Sequence, residues 1–259
     1  MEIVKRNGLE FLTSDKIDAI HGFTLRHGGV SQGDFSSLNM GLRRGDNPFN
    51  AIKNIEKCAD ALMLDKEKLT LTYQLHTAKV HFLTPEDIGK GFCREWGEGV
   101  DGIVTDMKNV PLLCYSADCV PTLLYDKKRG MIGAVHGGWR GTKDNIIANA
   151  VDVMIEHGAK VEDICAFIGP AIGICCYEVS EDVGEQFAGE YESLVIKKDN
   201  GKYMLDLKSI TASQLMEKGV LRENIENCCI CTSCRNDMFF SHRAQKGRSG
   251  LLGGFIQMI

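Results

Sequence analysis

A cysteine and a histidine stand at the outer ends of two short apolar runs in the middle of the chain. Cys119 precedes the run at residues 120–125, and His136 follows the run at residues 131–135. The residues between the runs are mostly charged and end in glycine, a pattern typical of a β-hairpin turn. Pairing of the two strands would place Cys119 beside His136. A thiol and an imidazole held together on a sheet form either a metal site or an activated nucleophile.

A second histidine, His76, is the candidate third member of this site. One cysteine and two histidines would bind zinc and leave a fourth position for water or substrate, which is the pattern of catalytic zinc sites. Bound zinc lowers the pKa of its water to ~7 and so generates hydroxide at neutral pH. Asp118, beside Cys119, is a candidate to orient a histidine or to accept a proton. The competing interpretation is that Cys119 is a buried thiol and His76 an ordinary polar residue.

The glycine-rich segment at residues 137–142 follows His136 directly and leads into a predicted helix. Glycine lets the backbone approach a ligand closely, and the amides at a helix N-terminus attract anions. Arg140 adds a planar guanidinium that suits phosphate or carboxylate. The segment therefore predicts an anion site that uses Gly137, Gly138 and Arg140, with a tight structural turn as the alternative.

A second group of possible ligands is the C-x2-C-x2-C pattern of Cys228, Cys231 and Cys234. This spacing resembles part of an iron–sulfur or zinc ligand run, but it lacks a well-spaced fourth cysteine followed by proline. We therefore favour incidental clustering of reduced thiols, with a structural zinc or redox-sensing site at residues 228–234 as the alternative. The adjacent Cys175 and Cys176 are expected to be structural.

The composition is that of an ordinary globular enzyme. The chain has 259 residues, of which 44% are hydrophobic and 25% charged, and its formal net charge is -5. This balance gives no support for a nucleic-acid or membrane partner. No window approaches the ~18 consecutive apolar residues of a spanning helix, and residues 1–12 do not resemble a signal peptide. Because the cysteine count of 11 is odd, we expect reduced thiols and a cytoplasmic location.

The hydrophobic pattern predicts helices mixed with strands. Asn47 caps a helix that has Pro48 in its first turn. Further helices are predicted after Gly141 as far as Glu156, from Ser180 to Phe187, and from Asp206 to Lys218. Strands are predicted at residues 69–73, 79–83, 100–105, 110–115 and 164–168, and in a last pair at 227–232 and 251–259.

Hairpins and crossovers occur together in this pattern, which predicts an α+β fold with a mixed sheet. We find no internal repeat or linker, so a single domain is predicted over residues 1–259. The long loop at residues 24–46 is rich in glycine, serine and asparagine, and its length favours a binding role.

Ordered motifs along most of the chain resemble those of a known family. They are Arg26-His27-Gly28-Gly29-Val30-Ser31, Ser37-Leu38-Asn39-Met40-Gly41, Gln74-Leu75-His76, Asp101-Gly102-Ile103-Val104-Thr105, Ala117-Asp118-Cys119-Val120-Pro121, His136-Gly137-Gly138-Trp139-Arg140-Gly141, Ile168-Gly169-Pro170-Ala171-Ile172-Gly173, Tyr177-Glu178-Val179, Cys231-Thr232 and Phe240-Ser241-His242-Arg243. Together they are similar to the YfiH/YlmD-like family, also called laccase-domain or multicopper polyphenol oxidase-like proteins. Gly137 stands where alanine is usual, and His242 where tyrosine is usual.

The resemblance implies a layered α/β/β/α sandwich with mixed sheets. It implies that His76, Cys119 and His136 bind a metal, usually zinc, with copper as the alternative. Phosphorolysis of adenosine, inosine, guanosine and methylthioadenosine is attributed to similar proteins, together with adenosine deamination at the same site. Copper-dependent phenol oxidation and the editing of peptidoglycan precursors are also attributed to the family. Seven histidines are too few for the copper sites of a multicopper oxidase.

The resulting hypothesis is a zinc-dependent purine nucleoside phosphorylase with adenosine deaminase activity, acting on nucleoside and phosphate as a monomer or homodimer. In it, Arg140 and either Arg43 or Arg44 bind the anion, and Asn39 contacts the nucleoside. The main alternative is a metal-free amidase or deamidase in which Cys119 is the nucleophile and His136 the base. Such a hydrolase has no need of His76, so that residue discriminates between the two.

Overall fold

The computed structural model describes all 259 residues, as fifteen strands and five α-helices. The strands are β1 (Glu2–Arg6), β2 (Leu9–Thr13), β3 (Ile20–Thr24), β4 (Thr70–Leu71), β5 (Val80–Phe82), β6 (Gly102–Thr105), β7 (Leu112–Ser116), β8 (Val120–Asp126), β9 (Met131–Gly137), β10 (Cys165–Ile168), β11 (Glu178–Val179), β12 (Val195–Lys197), β13 (Tyr203–Leu205), β14 (Ile225–Asn227) and β15 (Leu252–Gln257). The helices are α1 (Pro48–Leu62), α2 (Trp139–Lys143), α3 (Ile146–Glu156), α4 (Glu181–Ala188) and α5 (Leu207–Glu217). None of these helices has the length and apolar character that crossing a membrane requires.

Two six-stranded sheets lie at the centre of the fold. One has the strand order β1-β2-β3-β15-β7-β4 and the other β14-β10-β8-β9-β6-β5, while β11, β13 and β12 form a small third sheet. Most neighbouring strands are antiparallel, but β4 runs parallel to β7, β5 to β6, and β10 to β14. Both large sheets are therefore mixed, as the sequence predicts.

Alternate side chains of the central strands divide the interior into layers. Leu112 and Cys114 of β7 lie between the sheets, in the same cluster as Leu123 of β8. Leu113 of β7 instead packs with α1, and Leu124 of β8 packs with α3 and α5. Because strand side chains alternate between faces, each sheet presents one face to the other sheet and one to helices. This order of helix, sheet, sheet and helix confirms the predicted layered α+β sandwich.

The predicted hairpin is formed by β8 and β9. Its register pairs Pro121 with His136 and Asp126 with Met131, and every residue of both strands is buried. Cys119 comes directly before β8, so the antiparallel pairing places it next to the end of β9. A buried, fully paired hairpin is a rigid base for these two side chains.

The helix predicted from Asn47 is confirmed, but the helix predicted from Gly141 to Glu156 is wrong in its continuity. The chain forms α2 and α3 there, separated by Asn145 in the left-handed conformation with φ of 58°. Gln214 of α5 donates to the Thr142 carbonyl at 2.8 Å and to Asn145 Oδ1 at 2.7 Å. The buried side-chain amide of a distant helix thus satisfies hydrogen-bond acceptors that the break between α2 and α3 leaves free. The periodicity of the local sequence does not predict this contact.

The pairing predicted for the last two strands is wrong. β14 pairs in parallel with β10, whereas β15 lies between β3 and β7 in the other sheet. Both segments are apolar, and an apolar run does not specify its partner strand. A hairpin of β1 and β2 lies within the first 24 residues, where no strand is predicted. Its turn is Asn7-Gly8, both at positive φ, which is a recognisable hairpin signal.

Candidate metal centre and adjoining cavity

The structure brings His76, Cys119 and His136 together, and we refer to them as the triad. Cys119 Sγ lies 3.8 Å from Nε2 of His76. The two imidazole rings have centroids 5.0 Å apart and planes at 86°. One possible ligand atom from each residue lies within 4.8 Å of the other two. His76 belongs to the loop between β4 and β5, so three separate segments supply the donors.

The donor set and spacing of the triad fit a tetrahedral zinc ion. With Zn–N bonds of ~2.0–2.1 Å and a Zn–S bond of ~2.3 Å, tetrahedral geometry places the two nitrogens ~3.4 Å apart and each nitrogen ~3.5–3.6 Å from the sulfur. The distance of 3.8 Å between Cys119 Sγ and His76 Nε2 is close to that value. Blue-copper sites also use two histidines and a cysteine and add a weak axial methionine or glutamine; no methionine lines the adjoining cavity, but Gln74 does. Of the other histidines, His242 alone lines that cavity.

Asp101 organises both histidines of the triad. Its carboxylate is fully buried and accepts hydrogen bonds from the backbone N–H groups of Leu75, His76 and Thr77, at 3.1, 3.0 and 2.9 Å. These bonds hold His76 in a left-handed conformation with φ of 60°. Asp101 Oδ1 also lies 2.9 Å from Nδ1 of His136, which leaves Nε2 of that ring free to act as a ligand.

Charge interactions within the triad favour a thiolate beside an imidazolium. Burial raises the pKa of the Cys119 thiol, but the positive charge of His136 and hydrogen bonds from both histidines outweigh burial and lower the pKa to about 6. Burial lowers the pKa of His136, but Cys119 and Asp101 together raise it to about 9. A deprotonated cysteine is the form that binds metals or attacks a substrate.

Gly138 allows His76 and Cys119 to approach the end of β9. A Cβ atom at this position would lie 2.6 Å from Cδ2 of His76 and 3.3 Å from Sγ of Cys119. The backbone φ of Gly138 is -76°, so glycine is required here for space rather than for conformation. Gly137 is buried in β9 and a Cβ there would meet Thr142 Oγ1 at 3.2 Å. Neither glycine lines the cavity, and the space at Gly138 is used to pack the triad; their predicted role as an anion cradle stays a prediction.

Asp118 forms no hydrogen bond with a histidine of the triad, and because it lines the adjoining cavity its predicted role as a proton acceptor stays a prediction. Its Oδ1 accepts a hydrogen bond from Thr232 Oγ1 at 2.6 Å, and its Oδ2 accepts one from the Arg243 N–H at 2.7 Å. The residue is buried and has a positive φ of 86°. Asp118 therefore ties the segment before Cys119 to two later segments, while Asp101 holds the histidines.

A cavity of about 890 Å³ adjoins the triad. Its lining includes the guanidinium groups of Arg43, Arg44 and Arg243 and the aromatic side chains of Tyr73, Trp96, Tyr115 and Tyr177. Arg43 lies over the Tyr73 ring at 4.9 Å, and Arg44 approaches His242 Nδ1 at 3.4 Å. The Tyr115 hydroxyl is buried without a hydrogen-bond partner. The volume falls in the ~300–1,000 Å³ range of small-molecule sites.

Two predicted substrate contacts do not line this cavity. Arg140 lines a second cavity of about 470 Å³, which shares His76 with the first, and stacks on the Trp139 ring at 4.2 Å. Asn39 is fully buried, and its Oδ1 accepts from the backbone N–H groups of Gly41 and Leu251 at 2.8 and 2.9 Å. Its amide group also donates to Asp46 at 2.9 Å. All of its polar atoms are thus used to hold the N-terminal loop, and none reaches the cavity.

Residues 20–259 match the family described as multi-copper polyphenol oxidoreductase laccase. This chain belongs to that family. The match spans the segments that carry His76, Cys119, His136 and Asp101, so the whole site lies inside it.

Named relatives extend the comparison. The chain is 36% identical to purine nucleoside phosphorylase YlmD of Bacillus subtilis (strain 168), over 93% of this chain and 89% of that protein. It is 38% identical to the protein of the same name from Geobacillus stearothermophilus, over 92% and 89%. The crystal structure of the hypothetical protein YfiH from Bacillus licheniformis has a TM-score of 0.92 at 34% identity and covers 97% of this chain and 96% of that chain. These matches confirm the predicted family and the layered fold.

Two residues of this laccase-family site were not predicted from the sequence. Asp101 holds both histidines, and Arg243 supplies a guanidinium group to the cavity. Both lie inside motifs that carried the family resemblance. The motif shows that a segment matters, but it does not show which side chain faces the site.

Proposed function

We propose that this protein is a zinc-dependent purine nucleoside phosphorylase that also deaminates adenosine. The observation that carries the proposal is the convergence of the triad's donor atoms beside a cavity large enough for a nucleoside and phosphate. The two relatives at 36% and 38% identity, both named purine nucleoside phosphorylase, support it. Adenosine, inosine, guanosine and methylthioadenosine are the proposed nucleoside substrates.

Arginine side chains provide the phosphate site in this proposal. Arg43, Arg44 and Arg243 line the cavity, and a guanidinium group binds phosphate oxygens through paired hydrogen bonds. Arg243 donates to the backbone carbonyls of Cys176 and Glu178 at 3.1 and 3.0 Å, so it is positioned before any ligand binds. Arg140 lines the second cavity, which shares His76 with the first, so its predicted contact with the anion stays a prediction apart from this arginine group.

Aromatic side chains provide the purine site. Tyr73, Trp96, Tyr115 and Tyr177 line the cavity and offer flat surfaces on which a purine ring stacks. The buried hydroxyl of Tyr115 has no partner in the protein. A hydrogen bond from a purine or ribose oxygen or nitrogen would satisfy it, since buried polar groups rarely stay unpaired.

In phosphorolysis, a phosphate oxygen forms a bond to C1′ of the ribose while the bond from C1′ to the purine nitrogen breaks. The electron pair of that bond leaves with the base, which takes up a proton. Zinc held by the triad would supply a Lewis acid with one open coordination position for an oxygen ligand. The arginines hold the phosphate, and Asp101 keeps both imidazoles in place.

In deamination, water adds at C6 of adenine and ammonia leaves, so the base rather than the ribose must face the triad.

Mass-spectrometric product analysis with the zinc-loaded protein tests this function. With inosine we expect hypoxanthine and ribose 1-phosphate, formed only when phosphate is present; with adenosine we expect adenine and inosine. Cys119→Ser should lower both rates by at least ~100-fold, because the loss of a metal ligand removes several kcal/mol of transition-state stabilisation. Cys165→Ser, outside the cavity, is the control and should leave the rates unchanged. Neither free base nor inosine from zinc-loaded protein would refute the proposal.

A metal-free hydrolase is the second candidate, and one observation favours it. Cys119, His136 and Asp101 form a chain of nucleophile, base and orienting carboxylate, with 2.9 Å between His136 Nδ1 and Asp101 Oδ1. Cys119 would then attack an amide carbonyl, His136 would protonate the leaving nitrogen, and water would hydrolyse the resulting thioester to release the acid and the free thiol. Activity that survives chelation, with Cys119 open to alkylation, would favour this hydrolase. Loss of activity on chelation, with zinc protecting Cys119, would exclude it.

A further inference from the structure

Four cysteines outside the cavity bring their sulfur atoms together. Cys175 and Cys176 lie in the segment after β10, and Cys231 and Cys234 in the segment after β14. Their Sγ atoms all lie within 4.8 Å of one another. Sγ of Cys234 is 3.5 Å from that of Cys175 and 3.4 Å from that of Cys176. Two segments far apart in the sequence therefore converge on one point.

The strand pairing explains the convergence. β10 and β14 are parallel neighbours, so the segments that follow them leave the sheet at the same end. The ladder continues beyond the strands, where the Thr232 N–H donates to the Ala171 carbonyl at 3.1 Å. The Gly173 N–H donates to Cys231 Sγ at 3.2 Å. A Cβ at Gly173 would lie 3.3 Å from Sγ of Cys175 and 3.2 Å from Cβ of Cys231, so glycine leaves room for both cysteines.

This group differs from the pattern visible in the sequence. Cys228 is only 4% exposed and packs in the core between the sheets. Cys229 Sγ donates to the Asn227 carbonyl at 3.4 Å and is not part of the group. The expected incidental clustering at residues 228–234 is therefore replaced by a C-x2-C pair, Cys231 and Cys234, completed by two cysteines from a distant loop.

The sulfur spacing fits a single ion shared by four thiolates. A disulfide bond is only ~2.05 Å long, and all eleven cysteines are free. Four thiolates at ~2.3 Å from one zinc ion lie ~3.8 Å apart at the corners of a tetrahedron. The distances of 3.5 Å from Cys234 Sγ to Cys175 Sγ and 3.4 Å to Cys176 Sγ are close to that value. A four-iron cluster binds each thiolate through a different iron and so needs sulfurs that lie farther apart.

Two cationic side chains donate to backbone carbonyls in the segments that carry the four cysteines. Lys208 is only 3% exposed and forms no salt bridge, and its Nζ donates to the carbonyl of Ile230 at 2.7 Å. Ile230 directly precedes Cys231, and Arg243 donates to the carbonyl of Cys176. Burying an ammonium group without an anion is costly. Four thiolates around one divalent ion carry a net negative charge, which would compensate Lys208.

We propose that Cys175, Cys176, Cys231 and Cys234 bind a zinc ion of their own in a closed tetrahedral site, the tetrathiolate site. Four protein ligands leave no open coordination position, as in structural rather than catalytic zinc sites. The ion joins the loop after β10 to the loop after β14. The proposal depends on the sulfur geometry and not on the proposed function of the triad.

The tetrathiolate site stabilises one wall of the cavity. Ile172 and Tyr177 belong to the first of the two joined loops, and both line the cavity. Thr232 belongs to the second loop and donates to Asp118 Oδ1 at 2.6 Å. Because Asp118 directly precedes Cys119, joining the two loops also fixes the backbone beside the triad. Loss of this zinc is therefore expected to lower the melting temperature and to raise KM more than it lowers kcat.

Metal analysis of the purified protein and its variants separates the two sites. We expect two zinc ions per chain in the unmodified protein and one in each of Cys119→Ser and Cys234→Ser. The zinc retained by Cys119→Ser should show four sulfur neighbours at ~2.3 Å by X-ray absorption. The zinc retained by Cys234→Ser should show nitrogen and sulfur together. Cys229→Ser removes an exposed thiol from the same loop, and this matched control should keep both ions.

A Cys119→Ser protein without zinc, or with nitrogen around its zinc, would overturn the tetrathiolate site. A disulfide among the four cysteines, or the absorption of an iron–sulfur cluster, would do the same.

If Cys234→Ser does not fold, iodoacetamide treatment of the unmodified protein decides the question. In zinc-loaded protein, iodoacetamide should alkylate Cys229 but not Cys234. After chelation it should alkylate both cysteines. Equal alkylation of Cys234 before and after chelation would contradict the proposal. Retention of this zinc in a protein without phosphorolytic activity would refute the proposed function alone.

Discussion

At the scale of single residues, one carboxylate determines the geometry of the triad. Asp101 accepts hydrogen bonds from the backbone on both sides of His76 and from Nδ1 of His136. Burial raises the pKa of Asp101, but hydrogen bonds and charge from His136, together with hydrogen bonds from Thr77, bring it below its usual value. The carboxylate therefore stays ionised at neutral pH. Partners of this kind fix the tautomer and orientation of metal-binding histidines.

Replacing Asp101 with asparagine should weaken metal binding at the triad. The substitution keeps the size of the side chain but removes its charge and one acceptor oxygen. We expect the triad's zinc affinity, measured by competition with a chelator, to fall ~10–100-fold. The tetrathiolate zinc should be unaffected. Asp106→Asn, at a surface carboxylate paired with Arg129, is the control. An unchanged triad affinity in Asp101→Asn would show that Asp101 does not hold the histidines.

The acidity of Cys119 predicts a pH profile for the metal-stripped protein. The pKa of about 6 makes this thiol largely ionised at neutral pH, and the thiolate is the form that reacts with iodoacetamide. The alkylation rate of the Cys119 peptide should therefore rise through about pH 6 and level off at higher pH. His136→Gln removes the main positive charge and should move the midpoint to higher pH. A rate in unmodified protein that still climbs steeply near pH ~8.5, as for a free cysteine, would disprove the thiolate–imidazolium pair.

At the scale of secondary-structure elements, the link between β9 and α2 determines whether the triad can assemble. β9 presents His136, and the chain then turns at Gly138 into a short helix. His76 from the β4–β5 loop and Cys119, the residue before β8, both lie against that glycine. The three donors therefore meet because the hairpin ends in a residue without a side chain.

Adding one methyl group at Gly138 should disrupt the triad without unfolding the protein. A Cβ would lie 2.6 Å from His76 Cδ2, closer than any real Cβ contact, so the imidazole must move. We expect Gly138→Ala to lose most of the triad zinc and at least ~10-fold in kcat/KM, since small displacements of catalytic groups are costly. The far-ultraviolet circular dichroism spectrum should be retained. Gly97→Ala, where a Cβ meets nothing within 4 Å, is the matched control; equal effects of the two substitutions would contradict the steric argument.

At the scale of the whole molecule, the interior between the two sheets supports the hairpin that carries the site. Phe167 of β10 is fully buried there and contacts Phe23 of β3, with ring centroids 5.1 Å apart. The two strands belong to different sheets, so this aromatic pair joins the layers. β10 also pairs with β8, the strand that follows Cys119.

Phe167→Ala should lower the free energy of unfolding by ~3–5 kcal/mol, because removing a buried aromatic ring leaves a cavity in a close-packed core. Chemical denaturation monitored by tryptophan fluorescence measures this. Ile196→Ala, at a strand residue that is 54% exposed, should change the free energy by no more than ~0.5 kcal/mol. A loss below ~1 kcal/mol for Phe167→Ala would mean that the sheets do not depend on this contact.

The sequence predicted the features that local pattern controls. The β8–β9 hairpin, the capped start of α1 and the helices after Ser180 and Asp206 follow from periodicity and capping residues. Partner choice was not predicted, since the apolar patterns of β14 and β15 do not show that the strands belong to different sheets. The same limit hid the contact of Asp101 with His136 and the approach of Cys175 to Cys234. These contacts depend on how strands are ordered across the sheets.

A crystal structure of the protein soaked with inosine, with diffraction data collected at the zinc absorption edge, tests the central claim most directly. We predict an anomalous peak for a zinc ion that is bonded to Nε2 of His76, Sγ of Cys119 and Nε2 of His136 and has no fourth protein ligand. We also predict purine density in the cavity lined by Tyr73 and Arg243. The account would be contradicted if the three side chains of the triad bound no common ion, or if a fourth protein ligand filled the remaining coordination position of that ion.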